Sequence, residues 1–208
     1  MGSRWVGTEL LVVISAPSGG GKSTVIARLR QRHPEFMYSV SVTTRPRRKG
    51  ERQNKHYGFV TMPEFERMRK KDELIEWARV HDHFYGTPRR NVVKARRAKR
   101  VMLFDVDVQG AASVRRAFPD VVSIFLLPPS WAILRQRLSS RHSESPAQLR
   151  LRLRTARREL ARSSEYQYWV TNDRLERCVA DCESIIRAEI LRRGRRKAPV
   201  QSTRVSRG

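Results

Sequence analysis

The stretch Leu10–Thr24, LLVVISAPSGGGKST, decides the fold of this 208-residue chain. Its first part, Leu10–Ser15, is a short apolar run, typical of a strand buried on both faces of a parallel sheet. A glycine-rich turn follows, and the spacing of apolar residues over Lys22–Arg32 predicts a helix. A buried strand, a glycine-rich turn and a helix in this order predict the opening βα unit of an α/β nucleotide-binding fold.

The glycine-rich turn matches the phosphate-binding pattern G-x-x-x-x-G-K-[ST] except at its first position, where Ala16 replaces glycine. Such loops hold phosphate through successive backbone N–H groups, so one added methyl group is compatible with binding. Lys22 is then the cation expected at the β- and γ-phosphates, and Ser23 the hydroxyl expected at Mg²⁺. A glycine-rich turn can also join a strand to a helix without a ligand, but the flanking strand and helix favour nucleotide binding.

Further elements of an α/β core are predicted along the chain. Buried strands are expected at Val101–Val106, at Val121–Leu127 and within Glu165–Thr171. Helices are expected at Gly110–Ala117, Trp131–Leu138, Leu149–Leu160 and Leu175–Arg192. The stretch 39–100 separates the first two core strands and carries six of the sixteen aromatic residues. Because it is too long for a single crossover, it predicts an inserted subdomain.

Two aspartates close the second core strand. Asp105 stands at its end, where a carboxylate helps to position Mg²⁺ in phosphate-binding α/β folds. Asp107 follows two residues later and is expected on the same face of the strand. Ligands bind outside the carboxyl ends of parallel strands, so the pair predicts a functional site. The alternative is that such an aspartate caps a neighbouring turn.

The charge balance is the outlying feature of the composition. The chain has 44 Lys and Arg residues against 20 Asp and Glu residues, a net charge of +24. This surplus predicts attraction to anions such as nucleotides, nucleic acids or acidic membranes. No recognised nucleic-acid-binding motif accompanies it, so we expect no specific nucleic-acid partner and only weak, non-specific binding of polyanions.

Cysteine content and hydropathy define the expected compartment. Cys178 and Cys182 stand four residues apart with no further ligands nearby, which predicts two buried thiols in a reducing compartment rather than a metal site. No run of about 18 apolar residues predicts a membrane span, and residues 1–10 lack the apolar core of a secretory signal. We expect a cytoplasmic protein without a membrane partner, and a disordered basic tail at 193–208.

The predicted insert begins with a cluster of cations. Arg45, Arg47, Arg48 and Lys49 stand close to Glu51 in the sequence. Arginine side chains bind phosphate with two parallel hydrogen bonds, so the cluster predicts a second phosphate site. A solvated basic loop is the alternative in a chain of this charge.

Four segments in register resemble the guanylate kinase family. They are Ala16–Ser23, SVTTRPRRKGE at 41–51, IEWARVHDHFYGT at 75–87 and DVDVQG at 105–110. The resemblance runs from about Leu10 to Arg192. It implies ATP-dependent phosphorylation of GMP, and of dGMP, to the diphosphate in purine nucleotide metabolism and GMP recycling, with Mg²⁺ as cofactor. It also implies an α/β P-loop kinase three-layer fold with a parallel central sheet, an inserted GMP-binding subdomain and a lid.

The resemblance further implies domain bounds and site residues. The domain spans 9–192, with a core of about 9–38, 91–133 and 153–192, a GMP-binding insert of about 39–90, a lid of about 134–152 and a tail of 193–208. The residues implied at ATP are Ala16, Pro17, Ser18, Gly19, Gly20, Gly21, Lys22, Ser23, Thr24 and Asn172. The residues implied at GMP are Ser41, Arg45, Arg48, Glu51, Tyr57, Glu76, Tyr85, Thr87, Asp105 and Asp107. The implied catalytic cations are Lys22, Arg45, Arg137, Arg141 and Arg152, and Mg²⁺ is implied at Ser23 and Asp105, directly or through water.

Glu76 carries the implied choice of base. A carboxylate accepts hydrogen bonds only, and guanine presents two donors together, its N1–H and its N2 amino group. Adenine presents the opposite pattern at that edge, so a buried carboxylate left unpaired would reject it. Taken alone, Glu76 fits a surface charge on a helix equally well.

Two residues depart from the family pattern, and two rival functions fit parts of the sequence. His142 stands where glycine is common and Arg174 where a second acid is common, which puts lid movement and contacts near adenine in question.

One rival is a binding module that has lost catalysis, but such modules usually lack the loop lysine or the phosphate-binding arginines, and both are present here. Another rival is a related kinase with a different phosphorylated acceptor; Glu76 and Asp107 favour guanine.

Overall fold

The computed structural model describes residues 9–80, 82–140 and 146–192. Over these ranges the chain forms a central sheet, a smaller second sheet and the helices packed on them. The strands are β1 Leu10–Ser15, β2 Met37–Tyr38, β3 Val42–Thr43, β4 Gly58–Phe59, β5 Leu74–Val80, β6 His83–Pro88, β7 Val101–Asp105, β8 Val122–Leu127 and β9 Tyr168–Thr171. The helices are α1 Lys22–Arg32, α2 Met62–Lys70, α3 Arg89–Ala98, α4 Val108–Ala117, α5 Trp131–Ser139, α6 Pro146–Ala161 and α7 Leu175–Leu191.

The central sheet is parallel throughout, with the strand order β2-β7-β1-β8-β9. Every residue of its middle strand, β1, is buried. Successive side chains of a strand point to opposite faces, so Leu10, Val12 and Ile14 pack in one cluster with α1 and α7. Leu11 and Val13 pack in another cluster with α3 and α4. The predicted α/β fold of three layers around a parallel sheet is confirmed.

The predicted core elements are present, but their ends differ. β7 ends one residue earlier and α4 begins two residues earlier than expected, because Asp107 lies between them as a helix cap. Its Oδ1 accepts hydrogen bonds from the N–H groups of Gln109 and Gly110 at 3.0 and 2.8 Å. β9 begins only at Tyr168. Just before it, Ser123 and Gln167 exchange hydrogen bonds between main chain and side chain, which replace regular strand pairing.

The second sheet lies within residues 42–88 and has the order β4-β3-β6-β5. β3 and β4 run parallel, and the other neighbours are antiparallel. Helix α2 covers one face, where Phe65 and Met68 pack against Val42 and Leu74. The sheet falls inside the predicted insert 39–90, whose bounds as a separate subdomain stay a prediction.

Helices α5 and α6 form a pair that packs through Leu134, Leu138 and Ala156. The predicted lid 134–152 covers parts of both helices, and its bounds also stay a prediction. α6 starts three residues earlier than expected, at Pro146, a residue type that is favoured in the first turn of a helix. Arg141 lies outside the described residues, as do His142 and the tail 193–208.

The remaining expectations concern α7 and the membrane. Cys178 and Cys182 are both free and buried on the inner face of α7, as predicted. Among the helices described here, none has the length and apolar character needed to span a lipid bilayer.

Candidate active site

The glycine-rich turn between β1 and α1 has the geometry of a phosphate loop. Gly19 and Gly21 have φ angles of 80° and 84°, which residues other than glycine rarely adopt. Ala16 has no positive φ, and its methyl group is buried in the apolar cluster beneath the loop. The replacement of glycine at the first position therefore fits both the backbone and the packing. The loop ends at the N-terminus of α1, where free N–H groups attract anions.

Side chains from distant parts of the chain hold this loop in shape. Asn172, after β9, donates from Nδ2 to the Gly20 carbonyl oxygen at 2.8 Å. Glu159, on α6, accepts a hydrogen bond from the Ser18 N–H at 2.7 Å, and Arg152 donates to the Ser18 Oγ at 3.5 Å. Asn172 and Arg152 were among the sequence-predicted residues; Glu159 was not. The sequence does single out Glu159 in one respect, because it is the one acidic residue of α6.

Lys22 is bound at the carboxyl end of the central sheet. Its Nζ lies 2.8 Å from Asp105 Oδ1 and donates to the Val106 carbonyl oxygen at 2.9 Å. The second carboxylate oxygen of Asp105 accepts a hydrogen bond from the Tyr38 hydroxyl at 3.2 Å. Burial and the adjacent Asp105 raise the pKa of Tyr38, so this hydroxyl stays a donor at neutral pH. Tyr38 was missed in the sequence, because nothing local connects it with Asp105.

Ser23 and Asp105 offer oxygen ligands of the kind that Mg²⁺ prefers. Mg²⁺ usually binds through one or two carboxylates, several waters and substrate phosphates. One carboxylate at the end of β7 and one hydroxyl at the start of α1 agree with this mode of binding. No group of three His, Cys, Asp or Glu residues that could hold a metal occurs in the part of the chain that the structure describes. The predicted Mg²⁺ at these two residues stays a prediction.

The basic segment before β4 is built around one ion pair. Arg45 Nη2 and Nη1 lie 2.7 and 3.1 Å from the two carboxylate oxygens of Glu51, and the Arg48 N–H donates to the same carboxylate at 2.8 Å. The hydrogen bonds from Arg45 and Arg48 lower the pKa of Glu51 to about 2. Arg45 is almost fully buried, whereas the Arg48 side chain is exposed. Glu51 therefore fixes the Arg45 guanidinium in place.

Aromatic rings surround the Arg45 guanidinium. Its Cζ lies 5.6 Å from the ring centroid of Tyr57 and 5.7 Å from that of Phe59. Tyr85 packs edge-on against Tyr57, with 5.8 Å between ring centroids. The Arg45 guanidinium and the two phenols are thus close together, and the Arg48 main chain joins them through Glu51; phosphate binding there stays a prediction.

Glu76 lies on strand β5, which excludes the helical surface position considered for it. Its Oε1 accepts a hydrogen bond from the Thr87 hydroxyl on β6 at 2.5 Å. Burial raises the pKa of Glu76; the Thr87 hydrogen bond opposes this, and the charge of Asp107 adds to it. Thr87 is fully buried, and Ser41 is half-buried just before β3. The second sheet therefore offers a carboxylate acceptor in a partly dry setting.

The two sheets meet around the pair of aspartates. Asp107 is close enough to Glu76 to raise its pKa, and Asp105 likewise raises the pKa of Tyr57. The predicted common strand face of Asp105 and Asp107 is wrong, because β7 ends at Asp105 and Asp107 caps α4. Both carboxylates nevertheless lie at the carboxyl end of β7, next to the second sheet.

The predicted lid arginines differ in their placement. Arg137, on α5, donates from Nη2 to the Asn172 carbonyl oxygen at 3.1 Å, next to the loop that Asn172 supports. Arg152 reaches the same loop from α6. Both cations therefore lie beside the phosphate loop, whereas the position of Arg141 is not described.

Comparison with known proteins agrees with this geometry. The chain matches the family model described as guanylate kinase over residues 8–189. It is similar to the guanylate kinase of Agrobacterium fabrum (strain C58), with 47% identity over 188 residues, 90% of this chain and 86% of that protein. It is also similar to that of Brucella melitensis biotype 1, with 50% identity over 190 residues and the same coverage of 90% and 86%. The crystal structure of guanylate kinase from Anaplasma phagocytophilum superposes with a TM-score of 0.73 at 34% identity, covering 93% of this chain and 92% of that one. The chain therefore belongs to the guanylate kinase family.

Proposed function

We propose that this protein transfers the γ-phosphoryl group of ATP to GMP, and to dGMP, giving ADP and the nucleoside diphosphate. The observation that carries the proposal is the half-buried Glu76 carboxylate, which is bound to Thr87 on the second sheet and feels the charge of Asp107 at the carboxyl end of the central sheet. This arrangement offers an acceptor-only group within reach of a nucleotide that lies between the two sheets. Such a reaction belongs to purine nucleotide metabolism in the cytoplasm.

Guanine recognition follows from the hydrogen-bonding capacity of Glu76. Its carboxylate accepts from the guanine N1–H and N2 amino group, while the Thr87 hydroxyl holds one carboxylate oxygen in position. Ser41 and Asp107 complete the polar surroundings of the base. Adenine would place an acceptor against the carboxylate and leave it unpaired, which costs several orders of magnitude in kcat/KM.

The GMP phosphate binds to the cluster around Arg45. Arg45 and Arg48 provide planar donors for phosphate oxygens, and the Tyr57 and Tyr85 hydroxyls add two further donors. Glu51 already orients Arg45 from the other side, so little side-chain freedom is lost on binding. The phosphate is thereby aimed at the loop that holds ATP.

Transfer itself is an in-line displacement. An oxygen of the GMP phosphate, already an anion, attacks the γ-phosphorus of ATP; the bond to the β–γ bridging oxygen breaks, and ADP leaves with that electron pair. No general base is needed, so the rate comes from positioning and from cations on the transferring group. Lys22, Arg137 and Arg152 supply these cations beside the phosphate loop. The family resemblance adds Arg141, which lies outside the described residues.

Mg²⁺, when bound, neutralises charge on the phosphate oxygens of ATP. Ser23 and Asp105 would hold it, directly or through water. The Lys22 ammonium now bound to Asp105 would then move toward the β- and γ-phosphates.

A panel of acceptors tests the proposal. With ATP and Mg²⁺, ADP formation measured by a coupled assay is expected to be roughly 10⁴-fold more efficient, in kcat/KM, with GMP than with AMP. CMP and UMP complete the panel, and dGMP is expected to serve as an acceptor. Equal use of GMP and AMP would reject the proposal.

A further inference from the structure

The helix pair α5–α6 carries cations and almost no acid. Residues 131–140 and 146–158 contain seven arginines and no Asp or Glu. Arg137 and Arg152 lie beside the phosphate loop, but Arg135, Arg150 and Arg154 do not contact it. These three side chains are exposed and make no hydrogen bond or ion pair with any residue within the described ranges. The proposed kinase reaction leaves them without a role.

Two adjoining clefts run between these arginines. One, of about 270 Å³, is lined by Trp131, Arg135, Leu153, Arg154 and Arg157. The other, of about 410 Å³, is lined by Ala147, Arg150, Leu153 and Arg154. Because Leu153 and Arg154 line both, the clefts are adjacent, and we call the two together the arginine groove.

An aromatic face stands at one end of the arginine groove. Trp131 is 36% exposed, and the Arg157 guanidinium lies 5.1 Å from its ring centroid. This cation–π contact holds the indole in place while part of the ring stays open to solvent. An open aromatic face next to a row of cations is the combination on which unpaired bases stack while the backbone is held electrostatically.

We propose that the arginine groove binds single-stranded nucleic acid, with Arg135, Arg150 and Arg154 at successive phosphates and a base against Trp131. Arg150 and Arg154 are four residues apart, about 6 Å along the helix axis, and Arg135 is on the neighbouring helix α5, which fits a chain of phosphates rather than a single one. A duplex keeps its base faces stacked and offers none to Trp131. An acidic peptide would use the arginines but leave the aromatic face without a purpose, and a lipid surface is broad and flat whereas these residues line a depression.

The α3 helix supplies a matched control for the charge. Arg90, Lys94 and Arg97 are likewise exposed, lie on one side of their helix and make no hydrogen bond or ion pair among the described residues. R135Q/R150Q/R154Q and R90Q/K94Q/R97Q therefore remove the same three charges from two different surfaces. The basic tail is present in both variants and cannot explain a difference between them.

The first experiment measures fluorescence anisotropy of a labelled 12-nucleotide single strand against the full chain at several salt concentrations. R135Q/R150Q/R154Q is expected to raise Kd about tenfold and to lower the slope of log K against log salt by about 2, roughly 0.7 for each lost phosphate contact. R90Q/K94Q/R97Q is expected to have a Kd within about twofold to threefold of the wild type, because it lowers only the overall positive charge and removes no direct phosphate contact. Equal losses in both variants would overturn the proposal, because net charge would then suffice. Kinase turnover without oligonucleotide and thermal melting verify folding, and R154Q at the junction of the clefts replaces the triple variant if that does not fold.

The second experiment places the base. Oligonucleotide binding is expected to quench tryptophan emission. W131L is expected to lose most of that quenching and to bind about fivefold more weakly. W169L is expected to keep the quenching and the affinity of the wild type. Trp169 is a suitable control because it is 59% exposed on β9 and lines neither cleft. Unchanged quenching in W131L would overturn the proposal, as would tighter binding of a poly-glutamate peptide or of anionic vesicles than of the oligonucleotide. Either outcome leaves the phosphorylation of GMP untouched.

Discussion

The phosphate loop and the second sheet hold their functional groups in opposite ways. In the loop the anion-binding groups are backbone N–H groups, and they are held from far away: Asn172 and Glu159 stand 152 and 141 residues from the loop residues that they contact. In the second sheet the functional groups are side chains, and their supports are local. Arg45 is held by Glu51 six residues away, and Glu76 by Thr87 eleven residues away.

This difference separates two tasks of one reaction. Any nucleoside triphosphate presents the same phosphates, so a loop of main-chain donors binds without reading the base. Selection of the acceptor depends on a few side chains, each of which presents a defined donor or acceptor pattern. Changes in the loop should therefore affect catalysis with every acceptor, and changes in the second sheet should affect the choice of acceptor.

Lys22→Ala gives the largest expected effect on the loop side. It removes a mobile cation from the transferring phosphate, so kcat is expected to fall about 10³-fold for any acceptor. The substitution also removes the ion pair of Lys22 with Asp105, two side chains that are 21% and 18% exposed, so the thermal midpoint should change by only a few degrees. Lys94→Ala on α3 is the matched control. A variant that keeps a tenth or more of wild-type turnover would contradict the assigned role.

Glu76→Gln tests whether the second sheet selects the acceptor. The amide offers one acceptor and one donor where guanine presents two donors, so kcat/KM for GMP is expected to fall about 10²-fold. The KM for ATP should stay the same, because ATP binds at the loop. Glu73→Gln, on the chain just before β5, removes the same charge without facing the base. Equal effects on GMP and ATP would mean that the two sides do not divide the work as proposed.

The loop side was largely predictable where its signal is local. A buried strand, three glycines and a helix with apolar residues on one side specify the loop within the 23 residues Leu10–Arg32, and the structure has them at the predicted positions. The support from Glu159 escaped prediction because a hydrogen bond to Ser18 across 141 residues leaves no spacing in the sequence. The cap at Asp107 has a local signal, an aspartate just before a helical segment, but the strand expected up to Val106 favours the same face as Asp105 over a cap.

The second sheet was predictable only as a region. Its excess length indicated an insert, but strands of two residues, such as β3 and β4, are too short for hydrophobic alternation to reveal. The pairing of Arg45 with Glu51 needs a bend in the basic segment that its sequence does not announce. The roles of these residues came from family resemblance, and they stay predictions until variants are measured.

The Arg45–Glu51 pair gives a pH-dependent prediction for the second sheet. The folded state lowers the pKa of Glu51 to about 2, below the unfolded value of about 4.3. Glu51 therefore contributes stability that is fully present above about pH 4.3 and is lost as the pH falls toward 2. In urea unfolding, the gap in midpoint between wild type and Glu51→Gln should be constant near neutral pH, narrow below about pH 4.3 and close near pH 2. A gap that is unchanged at pH 2.5 would show that the ion pair is not its source.

Glu159→Gln is expected to give the smallest change and the sharpest test of how the loop is held. Its carboxylate occupies the Ser18 N–H beside the place where ATP brings negative charge, and burial raises its pKa, a sign that the charged form is already disfavoured there. Glutamine keeps an oxygen acceptor for Ser18 and removes the charge, so the KM for ATP should fall about threefold while kcat and acceptor choice stay the same. Glu165→Gln removes an equal charge from a residue bound to Arg162 and Arg115 instead of the loop, and should leave the KM for ATP unchanged. If the KM for ATP rises in Glu159→Gln but not in Glu165→Gln, α6 stabilises the loop through the charge of Glu159. The phosphate loop would then depend on a side chain as strongly as the second sheet does.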